Sequence, residues 1–466
     1  MDDVEVIRRY HDETAHSPRA RRRDQRVSGF QPMAPDNRPT PFKRYRDLER
    51  QPLPTDLSPR ADAPGAAEVL AGHVRSMANR PVDPDVLARL LYFSAGTTRY
   101  SSRGRTRAWF RASASAGNLH PLELYVASGP HAGVPAGLYH FDPATFSLGR
   151  LRPGDVRGHL AHAADDATLA GAAAVIVITG VPWRTTWKYA ERGWRHVYWD
   201  AGSLLANLLA VAAAHGLPAR VVLGFVDHDM SHMLGIDGVS EFAVAAVAIG
   251  AGEAGPFSST DGLAALDPVV DPLSPRPVEF PLVTSAQRAS DLDDPEAVAR
   301  WHATAADTSH TGAAAVDAVD IPTTSDAREP IESLILRRGS TRVMERTAVP
   351  GGTLDWTLRV ATRPVAMDAV PWGRTLLEHH LAIHAVDGHP PGLYRWADAT
   401  LEPRSSREEH STRDLSTFLC LGQPLGGDSA YTVYESADLD AVLDALGPRG
   451  YRAAHLEAGI VNGRLL

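Results

Sequence analysis

The chain has 466 residues and a formal net charge of -9 at pH 7, with 44 % hydrophobic and 22 % charged residues. At ~100–200 residues per domain it can form two or three domains with ample core, and its acidic balance argues against a nucleic-acid partner. The single cysteine, Cys420, excludes internal disulfides and cysteine-ligated zinc and fits a reducing compartment.

The N-terminus, Met1 to Ser17, contains no apolar stretch suited to a signal peptide, so a cytoplasmic location is expected. Residues 1–75 are rich in Arg, Pro and Asp, with a basic run at Arg21-Arg22-Arg23 and no visible period. They read as an extended arm that orders on a partner surface, or as a solvated tail. The first folded unit is expected over 76–252. Asp83 suits an N-cap and Pro84 a first helical turn; Leu87, Leu90 and Leu91 follow at helical spacing, and Gly96 suits the stop.

The central stretch runs from Phe110 to Tyr125. It holds Arg111, Ser113, Ser115 and Gly117 and turns at Pro121 into a strand-like run, Leu122–Val126. Small residues let a backbone approach a ligand, the serines can hydrogen-bond a phosphate, and an arginine can pair with it in a bidentate way. A polar turn before a strand is the plainer alternative. A second strand-like run, Ala173–Val181, leads to Trp187-Lys188-Tyr189-Ala190-Glu191-Arg192. Lys188 beside Tyr189 suggests proton transfer, because burial lowers a lysine's pKa toward neutrality; a solvated lysine beside a packing tyrosine is the alternative. An apolar helix follows from about Arg195 to His215, closed by Gly216 and Pro218. Asp200 and Asn207 interrupt it, so it reads as a buried helix and no membrane partner is expected. Further strand-like runs lie at Ala219–Leu223 and Phe242–Ile249. The intervening Gly224-Phe225-Val226-Asp227 either brings backbone close to a cofactor or simply turns the chain. His228 and His232, with Asp227 and Asp229, lack a third convergent ligand, as do His379, His380, His384 and His389, so no metal is expected. The mixture of long helices and strands, with few hairpin signals, predicts an α+β or α/β fold.

Residues 253–328 read as a Pro/Ala/Ser-rich linker with at most one short helix, near Pro295–Ala303. Residues 329–466 echo the first unit. Leu91 to Arg99 aligns with Leu334 to Arg342, Leu122-Glu123 with Leu377-Glu378, Gly137 to Phe141 with Gly392 to Trp396, and Ala201-Gly202 with Ala458-Gly459. Landmarks in one order point to a tandem duplication. The second copy reads as degenerate: Trp372 falls opposite Gly117, Ala445 and Leu446 fall opposite Lys188 and Tyr189, and Leu466 falls about where the central helix should begin.

Taken together, these residues resemble the nitroreductase-like flavoproteins, and most of all the SagB-type azoline dehydrogenases of peptide natural-product maturation. The resemblance rests on Thr98-Arg99, on Arg111 with Ser115-Ala116-Gly117 and Pro121-Leu122-Glu123-x-Tyr125, and on Trp187-Lys188-Tyr189-x-x-Arg192. Asp200-Ala201-Gly202, Leu223-Gly224-Phe225-x-Asp227, Tyr10-His11 and Pro41-Phe42-Lys43-Arg44-Tyr45 complete it. It implies a mixed sheet flanked by helices and FMN bound non-covalently at a subunit interface. Arg99, Arg111, Ser113 and Ser115 would hold phosphate and ribityl chain beside Gly117, with Gly224 and Phe225 along the cofactor from the other side. Lys188 and Tyr189 would be the catalytic pair, removing a proton while hydride leaves a thiazoline or oxazoline ring for the flavin. The implied partners are a peptide or small-molecule substrate and proteins of a modification complex, in a homodimer or an intrachain pseudo-dimer. Ser203, Ala114 and His120 depart from the family pattern and touch the pocket, which loosens the substrate assignment. An NAD(P)H-dependent nitro- or quinone reductase, and a non-catalytic scaffold of a peptide-modifying complex, are the alternatives.

Overall fold

The computed structural model describes residues 2–16, 34–60, 62–77, 80–103, 106–307, 311–314, 319–322, 325–404 and 411–466. The chain opens with helix α1 (Asp3–Thr14). Asp2 accepts from the Glu5 N–H at 2.7 Å while the Glu5 carboxylate accepts from the Asp2 N–H, a capping box that satisfies two donors at once. Strand β1 (Glu49–Pro52), helix α2 (Ala66–Ala71) and helix α3 (Pro84–Ala95) follow, α3 capped by Asp83 and led by Pro84 as its sequence requires. Strands β2 (Thr97–Arg103) and β3 (Thr106–Arg111) form a hairpin. Next come β4 (Leu122–Ser128), β5 (Gly137–Asp142), β6 (Ser147–Pro153), helices α4 (Arg157–Ala164) and α5 (Ala167–Gly171), and β7 (Ala174–Gly180). Helices α6 (Pro182–Tyr189) and α7 (Gly193–Ala214), strand β8 (Ala219–Val222), helix α8 (Asp227–Leu234) and strand β9 (Phe242–Ile249) complete the first body.

Its sheet has the order β1-β6-β5-β4-β7-β9-β8, and every pair in it is antiparallel. β4, β7 and β9 are buried at every position. Strands covered on both faces need continuous apolar runs rather than alternation, which is what Ala174–Gly180 and Phe242–Ile249 supply. One core cluster, with Leu204, Leu205 and Leu208 of α7, packs on one face of the sheet. A second, with Leu160, Met230 and Phe225, packs on the other. The apolar helix of the sequence is thus a core helix.

Helices α9 (Pro281–Ala289) and α10 (Pro295–Ala305) lie in the connection, with a two-residue ladder between β10 (Gly312–Ala313) and β11 (Arg374–Thr375). The second body contains α11 (Ile331–Arg337), α12 (Gly351–Ala361), β12 (Glu378–Ile383), β13 (Gly392–Ala397), β14 (Thr400–Arg404), α13 (Thr412–Leu419), α14 (Pro424–Asp428), β15 (Tyr431–Ser436) and α15 (Leu439–Leu465). Its antiparallel sheet has the order β14-β13-β12-β15. The bodies meet where α15 crosses α7. A Cβ on Gly202 would lie 2.3 Å from the Leu456 carbonyl oxygen and 2.5 Å from Gly459 Cα, and one on Gly459 would lie 2.5 Å from the Trp199 carbonyl oxygen. Only glycine permits that approach. Trp194 stacks on Tyr451 with centroids 5.7 Å apart, and the Trp199 indole donates to His455 Nδ1 at 2.9 Å.

Five expectations change. The described part of residues 1–75 is integral: Tyr10 of α1 packs edge-on to Trp194 at 4.9 Å, and Lys43 is buried against Glu241 at 2.6 Å. The run Arg21-Arg22-Arg23 lies outside the described residues. The connection holds two helices rather than one, and β5–β6 pair as a hairpin that turn composition did not announce. Finally, Leu91–Arg99 ends α3 and enters β2, whereas Leu334–Arg342 ends α11 and is followed by a further helix before β12. By element order α12, not α11, stands where α3 stands. A helix also does continue to Leu465, beyond a break at Gly447 (φ +60°) and Pro448.

Candidate active site

The loop between β3 and β4 bends back through three left-handed residues: Gly117 (φ +64°), Asn118 (φ +58°) and His120 (φ +50°). Asparagine tolerates that region; a bulky histidine does so only when its surroundings hold it, and such strain concentrates at functional sites. His120 is held by Asn118 Oδ1, 2.9 Å from its Nε2. A similar device follows α6. Ala190 adopts φ 48° and ψ -141°, which turns the chain sharply into α7 and leaves Lys188 and Tyr189 at the corner.

These two corners face each other across a cavity of ≈ 1040 Å³. A Cβ on Gly117 would lie 2.7 Å from Tyr189 Oη and 2.9 Å from Lys188 Nζ, so the two tips rest on bare backbone. Lys188 Nζ sits 5.1 Å from the Tyr189 ring centroid and has no carboxylate partner among the described residues. Arg99, Arg111, Ser113, Ser115 and Asn118 line the cavity from the first body, with Arg192 and His196 of the α6–α7 corner. The second body supplies Ile335, Arg338, Gly339, Ser340 and Arg342, and Leu421 and Gln423 lie at the rim. Among the described residues the lining carries arginines, a lysine and histidines but no carboxylate.

Electrostatics behind the wall differ from those on it. Burial raises the Asp200 carboxyl to about 7, against the Ser115 hydroxyl and Ala116 N–H that donate to it at 2.5 and 3.0 Å. Burial, with the Asp200 charge, pushes the Tyr189 phenol up, so it stays protonated at neutral pH. His196 lies tilted against Tyr189 with centroids 4.3 Å apart; burial and the neighbouring Arg192 lower it to about 3, and neither ring nitrogen has a hydrogen-bond partner among the described residues. A neutral imidazole with two unspent nitrogens is free to meet a guest.

The structure therefore brings Arg99, Arg111, Ser113, Ser115, Gly117, Lys188 and Tyr189 to one cavity. Two of them are spent inward. Arg111 donates to the Leu122 carbonyl at 3.2 Å and to that of Pro41, and Ser115 bridges Asp200 and the His120 N–H. The Ser113 hydroxyl has no hydrogen-bond partner among the described residues. Gly224 and Phe225 lie elsewhere. Gly224 faces Trp301 and His302 of α10, and Phe225 is fully buried under Arg449, 4.5 Å from its ring. Their neighbour Asp227 clamps α15 through Arg449 at 2.5 Å and Arg452 at 3.0 Å. The wall at Arg338–Arg342, and Asp200 behind Ser115, were not anticipated as site residues. The cluster Arg337-Arg338-Gly339-Ser340-Thr341-Arg342 was the available signal.

The Nitroreductase family profile matches residues 74–251. A Methanocaldococcus jannaschii protein with a provisional nitroreductase name, MJ1384, is 30 % identical over 164 residues, 35 % of this chain and 79 % of that one. A solved Anabaena variabilis protein, likewise provisionally named a nitroreductase, superposes with TM-score 0.75 at 23 % identity, over 99 % of this chain and 90 % of that one. The shared fold thus extends over both bodies. The E. coli microcin synthetase McbBCD complex with truncated pro-MccB17 bound matches 54 % of this chain and 93 % of its own at 16 % identity, with TM-score 0.33, too distant in shape to bear on this chain. The matched profile, and 30 % identity over most of MJ1384, establish that this chain belongs to the nitroreductase family of oxidoreductases.

Proposed function

We propose that the chain is an FMN-dependent dehydrogenase that oxidises thiazoline or oxazoline rings of a peptide-derived substrate to azoles. The observation that carries this reading is the convergence of Lys188 and Tyr189 on Gly117 in a cavity with cationic walls. FMN brings a phosphate and a flat ring. Arg338, Ser340 and Arg342 on one wall, the uncommitted Ser113 hydroxyl on the other and Arg99 at the edge suit the phosphate and the ribityl chain. The bare Gly117 backbone lets the Lys188 and Tyr189 tips close in on it, which leaves the adjoining cavity for the ring. The residues present therefore fit the cofactor. When bound, FMN supplies the two-electron acceptor.

The chain supplies the rest. Lys188 Nζ takes the proton from the ring carbon. Tyr189, held protonated by burial and the nearby Asp200, donates a hydrogen bond to the substrate rather than acting as a base. Because both bodies line the cavity, the site is complete within one chain, which supports the pseudo-dimer over a homodimer.

The test begins with the visible spectrum of the purified protein and identification of the released cofactor as FMN. With an azoline peptide and oxygen, mass spectrometry should show the loss of two hydrogens per ring. Lys188→Ala should slow turnover by about 10²–10⁴-fold with flavin absorbance retained; unchanged turnover would remove Lys188 from the proton step. Rapid bleaching by NAD(P)H, indifferent to peptide, would favour the nitro- or quinone-reductase reading.

A further inference from the structure

We propose that the chain holds one flavin and not two, because the cleft that mirrors the cavity is filled by the chain's own side chains. The inference rests on the FMN reading above. Gly202 of α7 and Gly459 of α15 touch at the crossing, and the sequence sets Ala201-Gly202 in register with Ala458-Gly459. Exchanging the two helices about that crossing carries the loop before β4 onto the loop before β12. The register of Leu122-Glu123 with Leu377-Glu378 then puts Asp368 where Ser113 stands and Trp372 where Gly117 stands.

At this second place the donors are already taken. The Asp368 carboxylate accepts from the Leu223 N–H at 2.8 Å and the Gly224 N–H at 2.7 Å, and His302 Nε2 lies 3.3 Å from it. The space is taken too. A Cβ on Gly224 would lie 2.4 Å from Trp301 Cδ1 and 2.8 Å from His302 Nε2, so both rings lie on its backbone. Trp301 is only 4 % exposed, and its buried indole N–H has no partner among the described residues. A buried donor left unpaired is costly, so the indole is held there for the volume it fills rather than for its polarity. The charge is reversed as well: an anion, Asp368, replaces the free hydroxyl of Ser113 and repels a phosphate. Both plugging rings come from α10, so the connection between the bodies also closes one of the two clefts. This accounts for Gly224, whose lack of a side chain fits a cofactor contact but which is buried against the chain's own tryptophan.

The experiment is a count. Protein is saturated with FMN, free flavin is removed by gel filtration, and acid-released FMN is compared with chain concentration. One flavin per chain is expected. Two would overturn the inference and leave the FMN reading standing; none would overturn the FMN reading and the count with it. Arg338→Glu and the exposed Ser340→Glu, each with an unchanged circular dichroism spectrum, then locate the bound molecule. Both should lower the ratio from one to near zero. A ratio that stays at one in a folded variant would place the flavin in the second cleft and overturn the inference.

Discussion

The two bodies bury charge in their sheets to different extents. In the first, charge is buried. Arg184 Nη2 lies 2.6 Å from Glu123 Oε1, both side chains 1 % exposed, and His140 Nε2 lies 2.9 Å from the other carboxylate oxygen. Burial alone would raise the Glu123 carboxyl; Arg184 and His140 override it and hold the group well below the usual carboxylate range. Nearby, Glu241 accepts from Tyr125, Thr179 and Lys43 at 2.8, 2.6 and 2.6 Å. Among the described residues the sheet of the second body has one buried pair, His379 with Glu435 across β12 and β15, and otherwise carries its charge outside: Arg395 meets Glu378 at 3.2 Å with side chains 33 % and 52 % exposed, and β14 is largely exposed. A buried ionic network does little for net stability but tolerates few alternative arrangements. It sits where β4 begins, the point from which the strained Ser113–His120 loop is launched. The second body has a lighter task, to present one wall and to press α15 on α7.

The largest expected effect tests that pressing. Gly202→Leu drives a side chain into the α15 backbone and should cost beyond about 4–5 kcal/mol, read as a collapsed thermal transition and early proteolysis between the bodies. A near-normal melt would mean the crossing is dispensable. Next, Arg184→Met leaves the buried Glu123 with His140 and the Lys43 N–H and without its guanidinium, and should cost about 3–5 kcal/mol by urea unfolding, against less than about 1 kcal/mol for Arg395→Met. Equal costs would erase the contrast.

Asp200 supplies a pH test. Its folded pKa of about 7 exceeds the unfolded value of about 4, so the native state keeps a proton that the unfolded chain has lost. This group therefore costs stability progressively as pH rises from about 4 to 7, and the cost is full above that window. Asp200→Asn should raise stability at pH 8 by on the order of 2–4 kcal/mol and change it little at pH 4. A parallel offset at both pH values would show that Asp200 acts through packing alone. Smallest of all, Glu378→Gln at the exposed sheet should shift unfolding by less than about 0.5 kcal/mol.

Local signals in the sequence were reliable. Asp83-Pro84 capped α3, and the apolar run Phe242–Ile249 is β9 residue for residue. Signals that depend on distant partners were not. The stripe Ile7-Tyr10-Thr14 is spaced among charges and becomes a core face only against Trp194 and Tyr451. At the site, residue types were legible but their commitments were not: nothing local says that Arg111 is spent on the Pro41 and Leu122 carbonyls, or that Ser115 serves Asp200. The wall at Arg338–Arg342 was noticed as a repeat rather than as a site, because its place opposite Ser113 exists only after the bodies dock.

The glycine crossing has a kinetic consequence. A contact of backbone on backbone has no side chain to yield, so the two bodies can come no closer at the crossing, which sets the least width of the cavity spanning them. Leu336 and Leu421, 44 % and 46 % exposed, stand among the residues that line this cavity. Under the proposed function, two reactants that use one such cavity take turns. The molecule that gives up hydrogen must leave before its successor arrives, and initial-rate plots at several fixed concentrations of either reactant should run parallel, the signature of a ping-pong sequence.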